Sequence, residues 1–347
     1  MLLSALKAAF LSQAESCEAL DSLFMGRLLR LLSEHWPEDT ALATKCATFA
    51  GDISPKGHSL PLRIAGGLHA LVLQGKDAGL TAVYPPNQSD AAALQNAVLT
   101  ALHSHDAFLT DWITHAPQTN EVRRSAVLIA TAHLLADRFN LPIKLSELGA
   151  SAGLNLMFDQ FHLNVGNGYG PQSTVTLAPQ WTGPLPPATD VTISNRRGVD
   201  LNPLNSADPD DALRLQSYLW ADQEERLLRT QAAIALNTAD LDQDDAISWL
   251  ERRLTAPKTG ELHMVYSTVA WQYFPTDRQD HGTALMVAAG AQASEATPLA
   301  WLSYEADDIT HGAALTLRLW PGNHTIPLGR ADFHGRWVEW QAPAKLP

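Results

Sequence analysis

Cysteine is scarce in this chain: Cys17 and Cys46 are the only two among 347 residues, and they lie apart, without a metal-type pair spacing. That excludes a disulfide-built scaffold and a cysteine-based zinc module, and reads as two reduced structural thiols. Basic residues are few as well, 24 Lys plus Arg against 37 Asp plus Glu, for a formal net charge of -13. Such a balance repels a phosphate backbone at long range, so nucleic acid is not an expected partner. No apolar stretch approaches the roughly 18 uncharged residues that cross a bilayer, and no membrane partner is expected. The start, residues 1–10, carries one lysine inside an amphipathic pattern rather than ahead of an apolar block. A secretory signal is therefore not expected, and a cytoplasmic location is. A G-x-S-x-G nucleophile turn, a P-loop and paired zinc-ligand spacing are all missing.

What is present is an apolar fraction of 46%, enough for an ordinary globular core, in a chain long enough for two domains. The first ~115 residues read as helices. Leu2, Leu6, Ala9 and Phe10 share one face, as do Leu23, Phe24, Leu28, Leu31 and Leu32, and Trp36-Pro37 ends the second helix. Ser54-Pro55-Lys56-Gly57 makes a turn before a helix opened by Pro61 that buries Leu68, Leu71 and Val72. Ser89 or Asp90 caps a long helix carrying Leu94, Val98, Leu102 and Trp112. The expected organisation is a helical cap over residues 1–116 and an α/β domain over 117–347.

Beyond Pro117 helix and strand alternate. A helix over 120–139 leads to a strand at Ile143–Leu148, and a small β insertion rich in Gly, Pro and Thr is expected near 166–190. Residues 191–200 return to the main sheet, and a long helical region starts at Asp208-Pro209 and runs to Leu236. His263–Val269 and Leu299–Glu305 read as further strands, and the chain closes with a hairpin from Ala314 through the Pro321-Gly322-Asn323-His324 turn to Trp340. The sum is a seven-stranded mixed sheet.

The stretch Leu145-Ser146-Glu147-Leu148-Gly149-Ala150-Ser151-Ala152-Gly153-Leu154-Asn155 is an apolar strand ending in an acid, a small-residue turn and a helix start. Turns of that kind let backbone approach a ligand and aim helix N–H groups at it. Arg196-Arg197-Gly198-Val199-Asp200-Leu201-Asn202-Pro203 supplies a second strand ending in an acid. Together the two acids suggest a ribose-containing cofactor.

The order of elements resembles the class I S-adenosylmethionine-dependent methyltransferases, whose Rossmann-like sheet ends in an antiparallel strand pair. At closer range the chain looks like a member of an uncharacterised bacterial domain family, through Pro117–Val122, the ELGASAGLNL run, Arg196–Pro203 and His334-Gly335-Arg336-Trp337. The methyltransferase resemblance implies S-adenosylmethionine as cofactor, with Glu147, Gly149, Ser151 and Gly153 around the first turn. It implies Asp200 on the ribose hydroxyls and Asp245, beside Ala246, at the adenine. Two departures stand out: Ser151 replaces the usual middle glycine, and the spacing from Glu147 to Asp200 far exceeds the ~20 residues of a simple βαβ unit.

Tyr266, Trp271, Gln272 and Tyr273 follow the fourth strand, where that superfamily places acceptor contacts. Tyr266, Gln272 and Tyr273 are the catalytic candidates, Gln272 as hydrogen-bond partner of the attacking atom, and Trp271 is a substrate contact or part of a buried cluster. Asn120, Glu121 and Arg123 open a helix just ahead of the first strand and line the mouth of the expected cleft. His103-Ser104-His105-Asp106 is not read as a metal site, because His103 and His105 diverge by roughly 200° on one helix. The leading reading is a methyltransferase with a small-molecule acceptor. A non-catalytic ligand-binding or interaction protein that keeps the fold stays open beside it. A nicotinamide-dependent oxidoreductase is disfavoured, since the turn lacks G-x-G-x-x-G.

Overall fold

The computed structural model describes residues 2–55 and 57–347, with side-chain burial given from residue 4 onward. The chain divides into two compact units, Met1–Thr119 with Ala207–Leu228, and Asn120–Ser206 with Arg229–Pro347.

The first unit holds α1 (Leu2–Glu18), α2 (Leu23–His35), α3 (Ala41–Ala47), α4 (Leu60–Leu73), α5 (Ala78–Val83), α6 (Ala91–Ser104) and α7 (Asp106–Trp112). The chain then passes through α8 (Ser125–Phe139) in the second unit before α9 (Pro209–Ser217) returns to the first. Leu6, Ala9 and Phe10 of the expected α1 face are buried, and Leu28 and Leu32 of α2 join Leu6 and Phe10 in one core. Leu2 lies outside the side chains described, and Lys56 of the expected 54–57 turn lies outside the described residues. Leu23 departs from expectation and is 70% exposed. It starts α2, where Asp222 holds the flanking Ser22 hydroxyl and Phe24 N–H instead of burying the leucine.

Cys17 and Cys46 are free and buried in this core, and burial pushes their thiols up to about 11 and about 12. They are therefore protonated and unreactive at neutral pH. Asp90 caps α6 by accepting the Ala93 N–H at 2.7 Å. The expected single helix through Trp112 is two helices, because the chain breaks at His105. There Asp106 turns its carboxylate to the Ala41 and Leu42 N–H groups at 2.7 Å each, capping α3.

The second unit is built on one nine-stranded sheet, which corrects the expected seven. Its strands are β1 (Ile143–Leu148), β4 (Gln180–Thr182), β5 (Ile193–Asp200), β6 (Asp240–Gln243), β7 (Leu262–Thr268), β8 (Leu299–Glu305), β9 (Ala313–Trp320), β10 (His324–Ala331) and β11 (Trp337–Trp340). The spatial order is β4-β11-β10-β9-β8-β7-β1-β5-β6. The two additional strands arise together. Asp332 organises a turn by accepting the His334 and Arg336 N–H groups at 3.0 and 3.2 Å, which sends β11 back along β10. Residues 180–182 of the expected insertion then pair with β11. The rest of the insertion pairs β2 (His162–Leu163) with β3 (Thr176–Leu177) as a separate two-stranded sheet.

Five strands, β6-β5-β1-β7-β8, are mutually parallel, and β8 to β11 run antiparallel. Counted along the chain, the parallel strands lie in the order 3-2-1-4-5, so the winding reverses between β1 and β7. Crevices for ligands form at such a reversal, outside the carboxyl ends of the strands. Helices α10 (Glu224–Leu236), α11 (Ala246–Leu254) and α12 (Thr276–Gly290) complete the elements. The long helix expected after Asp208 is thus two helices, α9 and α10. No helix among the described residues is long and apolar enough to cross a membrane.

Candidate functional site

The turn after β1 is the centre of the site, and it differs from the expected helix start. Gly149, Ser151 and Gly153 all have positive φ, at 72°, 53° and 73°, and the segment that follows, Leu154–Gln160, is a 3-10 helix. Leu154 to Phe158 are buried one after another, so no exposed stripe remains for an amphipathic α-helix. The Asn120 side-chain oxygen accepts the Leu154 N–H at 2.8 Å and closes the start of that segment.

Two adjacent parallel strands end in acids, and the turn joins them. The Ser151 N–H donates to one Asp200 carboxylate oxygen at 2.8 Å, and the Asn202 N–H donates to the other at 2.9 Å. Gly149 and Ala150 both donate their N–H groups to the Val199 carbonyl at 3.0 Å. Ser151 occupies a left-handed conformation that favours glycine, and the two Asp200 and Val199 anchors hold it there. Its hydroxyl is buried without a hydrogen-bond partner.

The glycines of the turn meet protein. A Cβ on Gly149 would lie 2.5 Å from the Ala270 Cβ, and one on Gly153 would lie 3.0 Å from Leu241 and 3.1 Å from Ala239. Gly149 therefore lets the turn after β1 approach the turn after β7 across the point where the winding reverses.

Glu147 lies in β1 opposite Tyr266 of β7, and both are fully buried. One Glu147 carboxylate oxygen has no hydrogen-bond partner. Burial, reinforced by the nearby Asp200 charge, raises the Glu147 carboxyl well above the usual range, against the opposing pull of Arg124 and the Tyr266 hydroxyl. Burial and Glu147 likewise raise the Tyr266 phenol. Tyr266 sits inside β7 rather than after it, which corrects its expected placement; its hydroxyl donates to the Asn155 carbonyl at 3.3 Å. It is a packed interior group, out of reach of a substrate.

Beyond β7, Val269 has φ of 56° and Ala270 to Tyr273 form a tight loop. Glu305, at the end of β8, accepts the Ala270 and Trp271 N–H groups at 3.1 Å each and the Gln272 N–H at 3.5 Å. The Trp271 ring packs on Phe274 and Trp301, with centroids at 5.4 and 5.2 Å. The Gln272 side-chain oxygen accepts the Ala306 N–H at 2.9 Å, while Tyr273 is 73% exposed.

Asp245 is used elsewhere. It caps α11 through the Ser248 N–H at 2.8 Å and pairs with Arg278 of α12. Glu121 accepts the Arg123 N–H at 3.2 Å and lies 3.7 Å from His334, and the Arg123 backbone packs against Gly335. The structure thus gathers Glu147, Gly149, Ser151, Asp200, Tyr266 and Asn120 at the ends of β1, β5 and β7. It ties Asp245 to α11 and α12, and Glu121 and Arg123 to the turn before β11. His103 and His105 contact different aspartates, Asp39 and Asp77.

Sequence reasoning passes over four residues of this site. Arg124 donates to the Thr268 carbonyl at the end of β7 and to the Phe333 carbonyl, both at 2.9 Å. Ser125 donates to the buried Asn155 side chain at 2.7 Å, whose amide nitrogen has no partner. Glu305 carries the signal that picked out Glu147 and Asp200, an acid closing an apolar strand. The others carry no local signal, since their partners come from distant elements.

With this geometry in hand, the chain can be placed among known proteins. A bacterial family described as uncharacterised proteins conserved in bacteria, DUF2332, matches residues 7–340, and the chain belongs to it. No curated protein matches the chain.

Proposed function

We propose that this member of the family is an S-adenosylmethionine-dependent methyltransferase with a small-molecule acceptor, and that Asp200 holds the ribose of the cofactor. One observation carries the reading: the Asp200 carboxylate closes the strand beside β1, at the carboxyl end of a 3-2-1-4-5 parallel sheet, and is joined to the turn after β1. A carboxylate offers about four acceptor sites, and two backbone N–H groups occupy two of them here. The remaining two match a vicinal diol, so Asp200 fits the ribose. Leu201, next to it, is 66% exposed and offers the apolar surface that a nucleobase covers. Asp245 does not fit the adenine, being committed to Ser248 and Arg278.

When bound, the cofactor supplies an electrophilic methyl group whose transfer depends mainly on alignment with the acceptor. The chain's own residues do the aligning. Glu305 fixes the backbone of Ala270 to Gln272, which sets where the exposed Tyr273 ring and the Gln272 amide lie. Tyr266 and Glu147 pack beneath the turns and position them.

A second reading, a non-catalytic protein that keeps the fold, draws on the approach of Gly149 to Ala270, which brings the two turns into contact at the winding reversal. Calorimetric titration of the full chain with S-adenosylmethionine and its demethylated product separates the two. Binding of both supports the methyltransferase, and no heat from either at millimolar concentration leaves the non-catalytic reading. Thermal-shift screening beside nicotinamide cofactors tests the disfavoured oxidoreductase in the same series.

A further inference from the structure

A cavity lies at the opposite end of the sheet from the turn after β1, roughly 13 Å along β1 from its carboxyl end. Lys144 of β1, His263 of β7 and Leu299 of β8 are register neighbours across three parallel strands, and all three line it. Leu254 at the end of α11 and Ala293 just after α12 wall it, and Lys258 and Glu261 stand at its side. Its volume is about 300 Å³, the low end of small-molecule pockets, and a mainly apolar wall with a few convergent polar groups is the usual make-up of such sites.

The polar groups favour one kind of ligand. Ser146 is buried and accepts the Arg253 N–H at 3.0 Å, and its hydroxyl, with one proton to give, lies 2.8 Å from His263 Nε2 as a donor to that nitrogen in the Nδ1–H tautomer. The neutral imidazole then carries its proton on Nδ1, a donor with no protein partner among the described residues. Burial, with the charges of Lys144 and Arg253, pushes the His263 pKa well below its ordinary value and keeps the ring neutral.

Charge is unbalanced at this floor. Lys258 has Glu261 at 3.7 Å, and Glu261 also accepts from Ser194 at 2.7 Å. Among the described residues neither Lys144 nor Arg253 makes an ion pair within 4 Å, although Glu261 lies near enough to favour the charge of both and Asp242 that of Arg253. Lys144 reaches only the Arg253 carbonyl at 3.5 Å, and Arg253 bonds to Ser146, the Leu145 carbonyl and Asn195. Lys144, half-buried and without a direct ion pair, is stabilised further by an anion brought in from solution.

We propose that this cavity is a binding site for a small organic monoanion, an apolar body bearing one carboxylate, with Lys144 as its charge partner and His263 Nδ1–H as its hydrogen-bond donor. Nothing in this depends on the reading of the site at the other end of the sheet. The charged side chains that line the cavity, Lys144, Lys258 and Glu261, leave one positive charge, which selects a monoanion. The walls of Leu254, Ala293 and Leu299 take the apolar body.

Benzoate is the probe, with benzyl alcohol as its uncharged counterpart, titrated calorimetrically into the full chain. Benzoate is expected to bind with millimolar or tighter Kd, benzyl alcohol about tenfold more weakly, and Lys144→Met to weaken benzoate by about tenfold. Absence of benzoate binding up to about 10 mM, equal binding of the alcohol, or an unchanged affinity in Lys144→Met overturns the proposal. Should Lys144→Met fail to fold, reductive methylation of the native chain replaces it. Protection of Lys144 by benzoate supports the site, and equal labelling with and without benzoate overturns it.

Discussion

The Ser151 N–H and the Asp200 carboxylate meet at 2.8 Å, and this bond, with those of Gly149 and Ala150 to the Val199 carbonyl, ties the turn after β1 to the end of β5. Asp200 serves both the turn and the proposed ribose, and one substitution reads both roles. Asp200→Asn keeps the size and one acceptor oxygen but loses the charge and sets its NH2 against one of the two backbone N–H groups. It is expected to weaken S-adenosylmethionine binding by about tenfold and to lower unfolding free energy by about 1–2 kcal/mol. Calorimetry and urea denaturation on the same preparation check both, and unchanged cofactor affinity would remove Asp200 from the cofactor site.

Gly149 offers a cleaner steric test. Its φ of 72° disfavours any side chain, and a Cβ would lie 2.5 Å from that of Ala270. Gly149→Ala is expected to cost about 2–4 kcal/mol, about 1 from the backbone and the rest from the clash. In an Ala270→Gly background the clash disappears and only the backbone part should remain. A double-mutant cycle from urea midpoints measures the difference. If Gly149→Ala costs the same in both backgrounds, the two turns are not in contact in solution.

Much of this architecture is legible in the sequence, where apolar runs close in acids. Glu147 and Asp200 stand out because each ends a strand of mostly apolar or alternating residues, and Glu305 has the same signature. What hides is set by distant partners. Gln180–Thr182 and Asp240–Gln243 are short polar segments that become strands only because β11 and β5 offer them a ladder. The 3-10 segment after Gly153 looks helical in isolation, and burial of five consecutive residues decides otherwise. Arg124 and Ser125 look like an ordinary helix start, while their partners Thr268 and Asn155 lie up to 144 residues away.

The buried Glu147 makes stability depend on pH in a definite direction. Its folded-state pKa is raised, by burial first, so the folded protein holds this proton more tightly than the unfolded chain. The contribution is fully present below the ordinary carboxylate value of about 4.3 and is lost as pH rises through the raised folded value. Glu147→Gln keeps the shape without the ionisation. It is expected to gain stability relative to the parent at about pH 8 compared with about pH 5, read from urea midpoints at both. A stability difference that stays constant between the two conditions would show that Glu147 is already ionised in the folded protein at about pH 5, with no raised pKa.

Val269 carries the loop that presents Gln272 and Tyr273, and it does so in a conformation that a β-branched residue avoids, with φ of 56°. The surrounding bonds over-determine it: its own N–H donates to the Tyr304 carbonyl at 2.8 Å, and Glu305 takes the next two N–H groups. Strain held in this way is worth about 1–3 kcal/mol. Comparing Val269→Ala with Val269→Gly isolates it, because both remove the two valine methyl groups and differ only in Cβ. At an ordinary loop position glycine is the less stable of the two by about 0.4–1 kcal/mol, through the entropy of the unfolded chain. Here the order should reverse, with the glycine variant the more stable by about 1 kcal/mol in urea denaturation. An alanine variant equal to or more stable than the glycine variant would mean that the loop relaxes to negative φ in solution, and that Glu305 does not hold it.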